Sequence, residues 1–169
     1  MKRVLVTGMS GVGKSSVLDE LRRRGCKTVD TDYGGLTVTT DIGETIWDEA
    51  AIQRLLSTED ADVLFLSGTA ENMGKFRARF DHVILLSAPA EVMVQRLTTR
   101  TNNPYGQRPE QVAQTPHYKD TVEPLLRRIA TIEIDTTPTL DQVVTAMLER
   151  VCSPSAEDKQ DPPGPASTG

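Results

Sequence analysis

Short continuous apolar runs alternate along this chain with longer segments whose apolar residues recur at helical spacing. The runs predict strands at Arg3–Thr7, Thr28–Asp30, Val63–Ser67, Val83–Ser87 and Thr131–Ile134. Val63-Leu64-Phe65-Leu66 and Val83-Ile84-Leu85-Leu86 show no polar alternation, as strands covered on both faces do. The helical spacing predicts helices at Gly13–Arg24, Asp48–Ser57, Ala90–Thr99, Thr115–Ile129 and Leu140–Val151. Gly25 is placed to end the first of these and Pro89 to open the third. Strand–helix alternation of this kind predicts an α/β fold in three layers, a parallel sheet with helices on both faces.

Three stretches break the pattern. Residues 33–46 are rich in Gly and Thr and carry weak periodicity. Residues 101–115 contain Asn102, Asn103, Pro104, Gly106 and Pro109, and read as an exposed loop. Ser153–Gly169 is Pro, Ser, Gly and charge with almost no apolar residue, which predicts a disordered tail after a single domain over residues 1–152. Composition adds exclusions. The 169 residues carry a formal charge of −5 with a pI near 5.1, so no global field draws the chain to nucleic acid or acidic membranes. No apolar run approaches the ~20 residues of a membrane span. Cys26 and Cys152 lack any paired spacing and read as reduced thiols. The expectation is a cytoplasmic protein, monomer or homodimer.

The chemistry starts at the first strand. Gly8-Met9-Ser10-Gly11-Val12-Gly13-Lys14-Ser15 has the pattern of a phosphate-binding loop, between the Val4-Leu5-Val6 strand and the helix from Ser16 onward. Glycines let backbone N–H groups turn inward around a phosphate, and the helix N-terminus adds its positive end. Lys14 suits the β- and γ-phosphates, and the Ser15 hydroxyl suits Mg²⁺. Nucleotide contacts are expected from Gly8, Ser10, Gly11, Val12, Gly13, Lys14, Ser15 and Ser16.

Asp30 and Asp32 follow the second strand, two apart on one side of an extended segment. In open α/β sheets, ligands gather at the carboxyl ends of the strands, where the phosphate loop also lies. One carboxylate can serve Mg²⁺ and the other can accept a proton from an attacking hydroxyl.

The phosphate loop, the Asp30-Thr31-Asp32 segment and the stretch Leu85–Arg100 together resemble the small phosphate-loop kinases, the group of shikimate, gluconate and adenylate kinases. That resemblance implies a five-stranded parallel core of order 2-3-1-4-5, an acceptor-binding region at 33–60 and a lid at 101–115. It implies a metal role for Asp30 beside Ser15, and makes Asp32 the residue that deprotonates or orients the acceptor. Arg96 and Arg100, four apart on a helix, resemble lid arginines that stack on adenine or pair with phosphates. Arg108 resembles the lid arginine that closes over the transferred phosphate. Thr137 and Pro138, after the last strand, fall where these kinases border adenine.

The departures concern the acceptor. Ser67 stands where adenylate kinases carry an Asp, and Ala70-Glu71-Asn72 lacks an arginine for an acceptor phosphate. Gly68-Thr69-Ala70 replaces the triple glycine of shikimate kinase, and Val122 falls where its carboxylate-binding arginine is expected. Ser67 and Thr69 remain as polar groups for an acceptor, and Trp47 and Tyr33 as rings to stack on one. The sequence therefore predicts an ATP- and Mg²⁺-dependent phosphotransferase acting on a small-molecule hydroxyl. A nucleoside or nucleoside-monophosphate kinase is the nearest alternative, and a nucleotide-binding switch or slow NTPase the alternative of another class.

Overall fold

The computed structural model describes residues 1–99 and 109–153. In chain order the elements are β1 (Lys2–Thr7), α1 (Lys14–Arg23), β2 (Lys27–Asp30), β3 (Thr37–Thr39), β4 (Thr45–Trp47), α2 (Glu49–Ser57), β5 (Val63–Ser67), a 3-10 helix at Glu71–Arg79, β6 (His82–Ser87), α3 (Ala90–Thr99), α4 (Pro109–Thr121), α5 (Glu123–Ile129), β7 (Ile132–Asp135) and α6 (Leu140–Cys152). Strands β2, β5, β1, β6 and β7 lie side by side in that order, all parallel. Counting the strands of this sheet alone, the order is the expected 2-3-1-4-5.

Period-two alternation sorts the side chains between two apolar layers. Val4, Val6, Phe65, Ile84 and Leu86 face α1 and α6, meeting Val17, Leu18, Leu21, Val144 and Met147. Leu5, Leu64, Leu66, Val83 and Leu85 face the other way, toward Ile52 and Leu56 of α2, Phe76 and Leu126. Each such fully buried side chain contributes about 1.5–3 kcal/mol relative to exposure, so the sheet between its two layers is what holds the strand ends in place.

Three details differ from the sequence reading. Within the stretch of weak periodicity, β3 and β4 form an antiparallel hairpin, pairing Thr37 with Trp47 and Thr39 with Thr45. The loop expected at 101–115 gives way to helix from Pro109 onward, because proline is tolerated in a helix's first turn, where no amide partner is lost. The helix expected over Thr115–Ile129 is two helices, α4 and α5, with the break at Val122. Pro124, in the first turn of α5, has no N–H and disfavours continuous helix through its neighbour. Glu123 at this break is 2% exposed yet accepts from Lys119 and Arg127, which itself reaches Glu133 of β7. This network ties the helices after residue 108 to the sheet edge. The tail beyond Ser153 lies outside the described residues. No helix among the described residues is long and apolar enough to cross a membrane.

Trp47 belongs to this scaffold and not to an acceptor pocket. It is 1% exposed, packs its ring 5.9 Å from Phe76, and donates from Nε1 to Thr31 Oγ1 at 3.0 Å. Asn72 brackets its backbone, accepting from Trp47 N at 3.0 Å and donating to Trp47 O at 2.9 Å. Gly68 leaves room for this arrangement, since a Cβ there would stand 2.0 Å from Thr31 Oγ1. Gly68→Ala is therefore expected to destabilise the fold by about 1–3 kcal/mol, as overpacking does. The check is the midpoint of urea unfolding, and an unchanged midpoint would show that Thr31 and Trp47 are not locked together.

Candidate functional site

Parallel pairing brings the carboxyl ends of β1, β2, β5, β6 and β7 to one edge of the sheet. The phosphate loop rises there from β1 and turns into α1. Val12 anchors it from within: its side chain is fully buried in the layer between the sheet and α1. Gly13 follows with φ 100° and ψ 22°, a left-handed turn that starts the helix. Gly11, at φ 89°, passes so close to α3 that a Cβ would meet Met93 O at 2.9 Å. Lys14 spans the loop, its Nζ donating to Gly8 O at 2.5 Å and Met9 O at 3.2 Å.

A cavity of about 420 Å³ opens above the loop. The loop from Ser10 through Ser16, Asp32, Arg96 and Pro138 line it. The structure thus brings together Ser10, Gly11, Val12, Gly13, Lys14, Ser15, Ser16, Asp32, Arg96 and Pro138. Gly8 lies at the foot of the loop, its carbonyl engaged by Lys14 and by the Thr69 hydroxyl at 3.3 Å. Thr137 turns aside, its amide and hydroxyl both donating to the Asp135 carboxylate at 2.7 and 2.5 Å. Arg100 and Arg108 lie outside the described residues.

Asp30 and Asp32 are joined by a short turn in which the Asp32 amide donates to Asp30 Oδ1 at 3.1 Å. Asp30 is paired in register with Ser67, so both side chains share the face toward α1. Burial pushes the Asp30 carboxyl above the usual carboxylate range, with the neighbouring Asp32 charge adding to the effect. The Asp32 amide and the Lys14 ammonium work against it. Ser67 is 1% exposed, and its Oγ has no hydrogen-bond partner. Thr69 is engaged elsewhere, with its hydroxyl 2.9 Å from that of Thr7. Tyr33 is 56% exposed and stacks on no ring among the described residues. The arginines that follow β5 are committed to the scaffold: Arg77 Nε donates to Ile129 O and Arg79 to the Ser57 hydroxyl. Val122 packs into the layer beside α2.

Thr136 is the residue that the sequence reading missed. It is 5% exposed, lines the cavity and donates to Val12 O at 2.6 Å. Alternation held the signal. Ile132 and Ile134 face the α1 layer, so residue 136 continues on that side, whereas 137 does not. Thr99, Leu140 and Val143 also line the cavity.

The sequence profile of a family described as "AAA domain" matches residues 4–117. No curated protein sequence matches the chain. Among solved structures, the chain is similar to shikimate kinase from Acinetobacter baumannii in complex with shikimate, with a TM-score of 0.65 and 21% identity over 95% of this chain and 96% of that one. It is similar to a sugar kinase from Janibacter sp. HTCC2649, with a TM-score of 0.57 and 18% identity over 90% and 96%. A gluconokinase from Sinorhizobium meliloti 1021 matches with a TM-score of 0.56 and 21% identity over 88% and 92%. At these identities the likeness shows a shared fold.

The backbone of the loop offers a direct test. A methyl group at Gly13 meets only Arg96 Nη1, at 3.7 Å, so the strain of its left-handed conformation is isolated from crowding. Gly13→Ala is expected to cost about 1–2 kcal/mol of stability. Equilibrium unfolding measures this, and a loss well above that range would mean that the loop is held by something other than its backbone geometry.

Proposed function

The chain belongs to the AAA domain family, and from that premise we propose that it is a kinase that moves the γ-phosphoryl group of ATP to a hydroxyl of a small molecule. One observation carries the reading: a complete phosphate loop and Asp32 line the same cavity. In a site that only binds nucleotide, a carboxylate near the phosphates serves the metal. A transfer site needs one to take or orient the acceptor's proton.

The loop amides and Lys14 hold the phosphates and draw charge away from the bond that breaks. Asp32 holds the attacking hydroxyl in line and accepts its proton. Arg96 and Pro138 border the space for the base. In the resemblance, Arg100 and Arg108 close over the γ-phosphoryl group, and both remain part of the proposal. The reading is supported by the fold that the chain shares with several small kinases. Trp47 is withdrawn from any base stack by its burial, which leaves Tyr33 as the candidate ring of the nucleoside-kinase alternative.

The donor set at the strand ends fits Mg²⁺, which takes oxygen ligands and keeps several waters. Ser15, Asp30 and Ser67 all offer oxygen, and the Ser67 hydroxyl is buried without a partner. An ion held by these residues would supply positive charge against the charge that develops during transfer. Among the described residues no cluster of three or more His, Cys, Asp or Glu forms a separate metal site.

Two experiments address these assignments. ADP release is measured with panels of sugars, polyols, nucleosides and nucleotides. One panel member should raise it well above background, and Asp32→Asn should lower that turnover about 10²–10⁴-fold with nucleotide affinity little changed. If no acceptor stimulates release, a switch or slow NTPase replaces the kinase. Ser67→Ala removes an unpartnered buried hydroxyl, so thermal stability should hold or rise, by up to about 1 kcal/mol. The same variant should bind Mn²⁺–ADP more weakly, as read by electron paramagnetic resonance. Unchanged Mn²⁺ binding would remove Ser67 from the metal's surroundings.

A further inference from the structure

We propose that Arg96 and Thr136 are positioning residues that aim an amide of the phosphate loop. The inference deepens the proposed function only through its nucleotide-binding half and does not depend on phosphoryl transfer.

The geometry is a three-part clamp on one carbonyl. Val12 O accepts from Thr136 Oγ1 at 2.6 Å and from Arg96 Nη1 at 3.0 Å. Arg96 Nη1 also donates to Thr136 Oγ1 at 2.8 Å, and Nη2 to Thr136 O at 2.8 Å. Thr136 is itself fixed beside β6, since its amide donates to Ser87 O at 2.9 Å. The clamp therefore joins three segments distant in sequence: the loop, the last turn of α3 and the end of β7.

Its consequence follows from peptide planarity. In a trans peptide the C=O and the next N–H point in opposite directions from one rigid plane. There are no cis peptides among the described residues. Holding the Val12 carbonyl toward Arg96 and Thr136 thus turns the Gly13 N–H the other way. Gly13 lines the cavity at the start of α1, where an inward N–H meets an anion. Gly13 has no side chain to resist this orientation, so the plane must be set from outside. Arg suits the task because its planar fork delivers two donors in fixed directions, which an ammonium on a flexible stem cannot. Three of the five N–H donors of Arg96 are directed at Val12 and Thr136, so most of the fork is engaged within the protein.

The test compares ATP with inorganic tripolyphosphate, which has the phosphates but no base. Dissociation constants are measured by calorimetry for wild type, Arg96→Lys, Thr136→Val and Thr136→Ser. Thermal unfolding of each unliganded protein identifies any variant that does not fold. The clamp predicts that Arg96→Lys and Thr136→Val weaken both ligands by the same factor, about tenfold for a lost charge-assisted or buried hydrogen bond. Thr136→Ser keeps the hydroxyl and should bind as wild type does. A purely packing role for Thr136 predicts the reverse, with Val tolerated and Ser impaired, and that result would overturn the proposal. Loss of ATP affinity alone in Arg96→Lys would also overturn it, in favour of stacking on the base. Should wild type bind neither ligand, the nucleotide-binding reading itself fails, an outcome distinct from variants that match a binding wild type.

Discussion

Everything at the candidate site depends on the parallel register of the five-stranded sheet. Parallel strands deliver all their carboxyl ends to one edge, and the pairing fixes how far each end extends. Val6 pairs with both Ser67 and Ile84, Ser67 with Asp30, and Ser87 with Asp135, so β2 and β5 stop level with Val6 while β6 and β7 run three residues further. The period of two then decides what each face of that edge receives. Asp30, Ser67 and Thr136 fall on the α1 side, where the phosphate loop turns into its helix. Thr31 falls on the opposite side and joins Trp47 in the apolar layer. A shift of one residue in any of these strands would exchange polar and apolar partners across the sheet.

The two faces of the edge treat polar atoms differently. Thr31 and Trp47 are both buried, and each satisfies the other with one hydrogen bond. Ser67, one strand residue from that pair's neighbourhood but on the α1 face, keeps an unsatisfied hydroxyl at a cost of about 1–3 kcal/mol. Asp30 beside it is held above the usual carboxylate range by burial. Both groups would gain from a cation placed between them and the loop, since a positive charge favours the ionised carboxylate and supplies the hydroxyl oxygen with a partner. The strand ends thus carry a polar surplus on the side where the proposed reaction brings phosphate and metal, and none on the side packed against Trp47.

The sheet and the loop were legible because their signals are local and repeated. Val63–Leu66 and Val83–Leu86 are uniform apolar runs, and the loop's glycines, lysine and serine stand at fixed spacing. The hairpin at 37–47 was not legible. Its strands have three residues each, Val38 and Ile42 are exposed, and what fastens it is the long-range burial of Trp47. Local periodicity carries no record of such an anchor. Pro109 and Pro124 misled for a related reason: a proline marks a helix start as readily as a break, and the choice is made by what surrounds it. Thr137 is tied back to Asp135, so it is Thr136, on the α1 side of the strand end, that lines the cavity.

Under the proposed function, the donor and acceptor sides of the cavity also differ in how strongly they are determined. On the donor side the Val12 side chain is buried, its carbonyl is held by two donors, and Gly11 sits against the α3 backbone. Moving this loop means breaking several contacts at once, so its geometry is set before any ligand arrives. On the acceptor side, Asp32 and Tyr33 are exposed, and the hairpin beyond them is fastened mainly at Trp47 and Asn72. Low local stability belongs where a segment must adapt to a partner. ATP presents the same phosphates to every enzyme that uses it, which rewards a preformed loop. An acceptor differs from one kinase to the next, and a loosely fastened hairpin can vary around it without disturbing the sheet. On that reading the donor half carries a local sequence pattern, whereas the hairpin beside Asp32 is fastened by contacts distant in sequence.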